Sequence, residues 1–173
     1  MRASMLLLLL VPSLSFAQPA ATKPNPMKKL EFLVGLWKGE SWVMTRSGKV
    51  TAKGTETIQT KQSGRIMTME GNFTSTDENG KSLVVHDAFG VVAYDEKTKQ
   101  FNMQAYREGK QVPATLKVDG QKIIWGFTQN AGRKIEIRFT LEVKENKWKE
   151  IGEVSLDGKT WRKFMEMNLT KQK

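Results

Sequence analysis

Nine turn signals cut this chain into ten segments of strand length, and that spacing limits the fold more than any other feature. They are SGK (47–49), SGR (63–65), DENGK (77–81), DEKTK (95–99), EGK (108–110), VDGQ (118–121), NAGR (130–133), KENK (144–147) and LDGK (156–159). Asp-Gly, Asn-Gly and Ser-Gly pairs suit hairpin turns because glycine and asparagine tolerate positive φ. Turns this short join antiparallel neighbours, since parallel strands need a crossover of about a dozen residues or more.

The segments between the turns alternate. In RKIEIRFTLEV, Ile135, Ile137, Phe139, Leu141 and Val143 share one face, while Lys134, Glu136, Arg138, Thr140 and Glu142 share the other. The same period aligns Ile123, Trp125 and Phe127, then Met67, Met69 and Phe73, then Met165, Met167 and Leu169. Each strand therefore has one dry and one wet face. A flat sheet of ten such strands would leave two bare edges and an uncovered apolar face, and closing it into a barrel removes both. A β-sandwich also fits the alternation, but the plain meander of short turns favours the barrel. The expected fold is all-β: one antiparallel meander barrel of about ten strands with a short N-terminal capping helix. Residues 28–34 supply that helix, with Leu30, Leu33 and Val34 on one side.

Two segments of different character come first. Arg2, the apolar run at 5–11 and the small residues Ser15 and Ala17 read as a signal peptide over 1–17, cleaved near Ala17/Gln18. The run is too short to cross a bilayer. Residues 18–27 form a Pro-rich spacer, and 28–173 form the barrel domain. The expected location is periplasmic or secreted. With no cysteine in the chain, stability must come from packing.

The formal charge is +10, with Arg2 the one charged residue of the leader. Lys49, Lys81, Lys97, Lys117 and Lys159 fall in turns or at outward strand positions, where they blunt sheet edges and aid solubility. A nucleic-acid partner is not expected of an exported chain. Weak association with an anionic membrane surface is the alternative that the charge suggests.

The barrel opens with KKLEFLVGLWKGES (28–41). Gly35 lets the chain turn sharply out of the helix, Trp37 is large enough to plug a barrel end, and Gly39 relieves crowding. Arg162, on the last strand beside the first, would gain a cation–π contact by stacking on the plugging indole.

FLVGLWKGES, VVAYDEKTKQF and GKTWRKFMEMNL together resemble a bacterial family of domains of unknown function. That family is similar to the calycins: lipocalins, fatty-acid-binding proteins and nitrobindin-like haem-binding barrels. The resemblance covers about residues 28–170. Gly35-Leu36-Trp37 matches the Gly-x-Trp start, and Arg162 stands for the closing-strand arginine. The resemblance implies a barrel with an internal cavity that binds a small, largely apolar molecule. Nitrobindin-like members extend the motif to Gly-x-Trp-x-Gly-x-Gly, where this chain has Ser41, and ligate haem through a histidine near the C-terminus. Residues 140–173 contain no histidine, so no cofactor is expected and haem is disfavoured.

His86, the single histidine, is followed by Asp87. Adjacent strand residues point to opposite faces, so Asp87 does not orient it, and no cysteine or second histidine completes a zinc site. His86 reads as a wall or rim residue. Glu40, Glu56 and Glu70 fall in mid-strand; turned inward they would hold their protons and serve acid–base chemistry, but they are expected to face water. No catalytic or metal-binding residue is predicted.

The methionines point to binding. Met67, Met69, Met103, Met165 and Met167 lie in predicted strands, and flexible thioethers suit a cavity that adapts to a guest. With Phe89, Phe101, Trp125 and Phe127 they form the expected lining, and Tyr106 and Arg107 would meet a polar head group. The expected function is non-catalytic binding of a small hydrophobic or amphipathic molecule by a monomer or homodimer. The alternatives are haem binding or acid–base catalysis through His86 or an inward carboxylate, and a basic envelope-surface protein that meets anionic lipid.

Overall fold

The computed structural model describes residues 24–173. The leader at 1–17 and the spacer residues 18–23 lie outside the described residues. A 3-10 helix, Pro26–Leu33, leads into ten strands: β1 Gly35–Thr45, β2 Gly48–Lys61, β3 Ile66–Thr76, β4 Ser82–Asp95 and β5 Gln100–Arg107. β6 Lys110–Asp119, β7 Lys122–Asn130, β8 Lys134–Lys144, β9 Lys147–Ser155 and β10 Trp161–Lys171 complete the set. All pair antiparallel with their neighbours in sequence, and β1 pairs β10 to close the barrel. The expected meander barrel with its short N-terminal helix is the observed fold.

The helix starts at Pro26, inside the stretch read as spacer. Met27, Leu30 and Leu33 are its buried residues. Their spacing of three suits a 3-10 helix, in which i and i+3 eclipse, so a 3-10 turn stacks them in one row where an α-helix would rotate them apart. Asn25 begins the helix by accepting the Met27 N–H at 3.1 Å, and its Nδ2 donates to the Gly64 carbonyl at 2.8 Å. The second bond ties the helix to the β2–β3 turn, so the helix covers the barrel end that carries that turn.

Trp37 seals the same end. It is fully buried, stands edge-on to Trp148 at 5.5 Å and donates its indole N–H to the Leu33 carbonyl at 2.7 Å. Gly35 adopts φ 136°, which lets the chain leave the helix and enter β1. Gly39 has a different task. A Cβ there would fall 2.1 Å from the Asn168 carbonyl oxygen, so the β1–β10 seam closes only around a glycine.

Arg162 does not stack on Trp37. The closing register sets Trp37 opposite Lys171, whereas Arg162 pairs Val154 nine positions back along β10, roughly 30 Å away at strand rise. Lys171 takes the expected cation's place, with Nζ 5.2 Å from the Trp37 ring centroid. The arginine that does meet an aromatic ring is Arg138, 4.1 Å from Trp161 and bonded to Glu153 at 2.8 Å.

The wall is uneven. β7 and β8 pair from Lys122↔Glu142 to Asn130↔Lys134, but β6 and β7 pair only from Lys117↔Ile124 to Asp119↔Lys122. Pro113 lies in the part of β6 that β7 leaves unpaired, and proline has no N–H to give a ladder.

Candidate functional site

Inside the barrel is a cavity of about 190 Å³. The helix floors it with Leu30 and Leu33, and Met67, Met103, Met167 and Trp125 are among its wall residues. An engineered cavity of about 150 Å³ takes up benzene, so this space suits a guest of one or two rings.

Of the residues expected to line the interior, Met67, Met69, Phe89, Met103, Arg107, Trp125, Met165 and Met167 border the cavity. Phe101, Tyr106 and Phe127 do not. Phe101 packs edge-on against Tyr94 at 5.0 Å. Tyr106 has opposite parity to Met103, Ala105 and Arg107, and its hydroxyl meets Gln111 at 3.2 Å. Phe127 lies beside Trp125 in a stacked cluster with Phe139. Phe89 borders the cavity, but it is 42% exposed and faces Tyr106 across the β4–β5 ladder. Met44 is exposed.

The larger difference concerns charge. Glu40 and Glu70 face water as expected, but Glu56 is 7% exposed and borders the cavity. The β2 alternation explains this: Ala52, Glu56 and Ile58 are all buried, and Glu56 sits in the same inward row. A Cβ on Gly71, opposite Glu56 across the ladder, would lie 2.4 Å from Glu56 Oε1. Gly71 therefore leaves the space that the carboxyl fills.

A second carboxyl enters from β9. Glu150, 6% exposed, accepts the indole N–H of Trp125 at 3.1 Å on one oxygen and that of Trp148 at 3.2 Å on the other. The two indoles favour its ionised form, but burial outweighs them and raises its pKa from 4.5 to about 7. Burial, and then the charge of Glu150, raise Glu56 to about 8. Near neutral pH the pair thus keeps one or more protons.

His86 also faces the interior, with Nε2 4.0 Å from Glu56 Oε1 and its ring edge-on to Phe73 at 5.9 Å. Burial, and secondarily the nearby Arg107, lower its pKa to about 4, so the imidazole is neutral at pH 7. β4 carries an extra residue at Val85, between the pairs Phe73↔His86 and Thr74↔Val84, which brings both Val85 and His86 to the cavity. Arg107 donates to the Val85 carbonyl at 3.2 Å, and just over half of its side chain is exposed. A similar irregularity between Lys163 and Met165 brings Phe164 into the lining beside Met165.

The expectation for Glu56 failed because mid-strand position was read without the parity of its neighbours. Glu150 was missed in the same way, although Trp148, Glu150 and Gly152 share a face. Trp148, which shares that face, is buried.

No family model matches the chain and no curated protein does. Among solved structures, Rv2717c from M. tuberculosis superposes with a TM-score of 0.61 at 12% identity, covering 86% of this chain and 98% of that one. A protein of unknown function from the DUF3598 family of Nostoc punctiforme matches at 6% identity, covering 87% and 100%, with a TM-score of 0.23 that is too low to bear on this chain. The likeness to Rv2717c is one of fold alone.

Proposed function

We propose that this chain is an exported calycin-like barrel that holds a small hydrophobic or amphipathic molecule without transforming it. The observation that carries the reading is the cavity of about 190 Å³, lined mainly by methionine, aromatic and aliphatic side chains and floored by the helix. A barrel of this kind would be filled by its own side chains if it served only as a scaffold. The calycin reading draws further support from Gly35-Leu36-Trp37 at the start of β1 and from a cation of the last strand over the plugging indole. Export rests on the leader at 1–17, and a weak pull towards anionic surfaces rests on the net charge.

The test uses methionine methyl NMR with toluene as a guest of fitting size, together with native mass spectrometry of protein purified from its own host. Toluene is expected to shift the methyl signals of Met67, Met103, Met165 and Met167 and to leave exposed Met44 in place. A co-purified organic molecule at one per chain would agree. Methyl signals unmoved by saturating toluene would overturn the reading.

A second reading has its own observation. A carboxyl that keeps its proton 4.0 Å from an unprotonated imidazole, Glu56 and His86, is a pair able to give and take a proton. Conversion of the co-purified molecule on incubation, lost in His86→Gln, would favour it.

A further inference from the structure

Glu56 places a carboxyl on the cavity wall with no side-chain hydrogen bond to hold it. No side chain of the described residues hydrogen-bonds to it, and His86 Nε2, 4.0 Å from its Oε1, is beyond hydrogen-bond reach. Gly71 leaves the space its carboxyl fills, and Glu56 is 7% exposed on the cavity wall. Native interiors seldom leave such a group without a partner. Glu150, by contrast, has both oxygens engaged by indole N–H groups, which fix its orientation while its burial keeps water away.

We infer that Glu56 and Glu150 form the head site of the cavity and take the ammonium group of a small amphipathic amine, whose apolar body lies among the methionines. The inference rests on the cavity-binding reading above and adds the class of guest.

The other charges near the pair agree with this polarity. His86 of β4 is uncharged at neutral pH. Arg107 of β5 is half in solvent and engaged with the Val85 carbonyl. Lys171 of β10 lies over the Trp37 ring and donates to the Phe32 carbonyl. An anionic head would have to approach two buried carboxyls. A neutral hydroxyl could bond to Glu56 but would bring no charge to offset a carboxylate where one of the pair ionises. An ammonium supplies both donors and charge, and charge-assisted hydrogen bonds are the stronger kind.

The experiment compares three probes with one apolar body: 2-phenylethylamine, 2-phenylethanol and phenylacetate, titrated calorimetrically into the purified protein. At pH 8 the amine is expected to bind about tenfold or more tighter than the alcohol, with phenylacetate weakest. A bound cation favours ionised carboxyls, so binding should release protons, and amine affinity should rise from pH 6 to pH 8 while alcohol affinity stays level. Glu56→Gln and Glu150→Gln should each weaken the amine more than the alcohol and so reduce the amine's advantage, and the pH series in the unaltered protein needs no variant to fold. An amine no tighter than the alcohol, a preference that survives both substitutions, or phenylacetate binding tightest would overturn the head site. If toluene still moves the methionine methyls in that case, only the amine assignment falls; if no probe binds and toluene moves nothing, the cavity reading falls with it.

Discussion

Glu56→Gln is expected to raise the melting temperature at pH 8.5 by about 10 °C and to flatten its pH dependence. Folded Glu56 keeps its proton up to about pH 8 and folded Glu150 to about 7, whereas ordinary glutamates release theirs near 4.5. Between those limits the folded chain binds more protons than the unfolded one. The stability tied to these groups is therefore full below pH 4.5 and is lost as pH rises through 7 and 8. At about 1.4 kcal/mol for each tenfold change in proton affinity, Glu56 alone accounts for about 5 kcal/mol.

His86 acts in the opposite sense. Its folded pKa of about 4 lies below the ordinary 6.5, so its contribution is present above 6.5 and is lost as pH falls towards 4. Two carboxyls outweigh one imidazole, and from pH 5 to pH 8 the barrel should weaken as pH rises. The Glu56→Gln amide carries no charge at any pH and removes the larger carboxyl effect. Thermal unfolding of the unaltered protein, Glu56→Gln and Glu150→Gln across that range checks this. A melting temperature that climbs steadily from pH 5 to 8 would show that the two carboxyls are not held protonated.

Trp37→Ala should cost about 3–5 kcal/mol, near the upper end for a single core substitution. The indole is fully buried, packs edge-on against Trp148 and supplies the N–H that the Leu33 carbonyl accepts. Its removal leaves a void under the helix and a buried carbonyl without a donor, and the closed end of the cavity loses its stopper. Trp37→Phe keeps a ring against Trp148 and should cost about 1–3 kcal/mol, chiefly through the unpaired carbonyl. Trp42→Ala is the contrast. That indole is half-buried with Lys49 and Lys163 over its ring, and its loss should cost about 1 kcal/mol. Urea unfolding of the three variants ranks them, and Trp37→Ala within 1 kcal/mol of the unaltered protein would mean that the indole is not the plug.

The barrel was legible because its evidence is local and repeated. Each hairpin turn needs residues that accept positive φ, and each strand shows its dry face at every second position. The glycines and tryptophan of the opening could be read for the same reason. The lining was partly legible. Met67, Met103 and Met167 lie in the inward rows that alternation predicts, whereas Tyr106 and Phe89 were chosen for their chemistry; Tyr106 does not border the cavity and Phe89 borders it with an exposed ring. Arg162 was chosen by its place on the last strand, but position along a strand has no meaning until the register is known, and the register puts Lys171 beside Trp37.

Turn chemistry and two-residue periodicity determined by themselves that this chain is all-β and antiparallel, because those signals act between residues that are neighbours in sequence. Only the tertiary structure decided that Glu56, His86 and Glu150 meet around one cavity. They come from β2, β4 and β9, and the closing of the barrel brings them together, while two extra residues in β4 and β10 shift which side chains face inward. Burial then sets their protonation, since the cost of a charge depends on the water and partners around it rather than on the residues beside it in the chain.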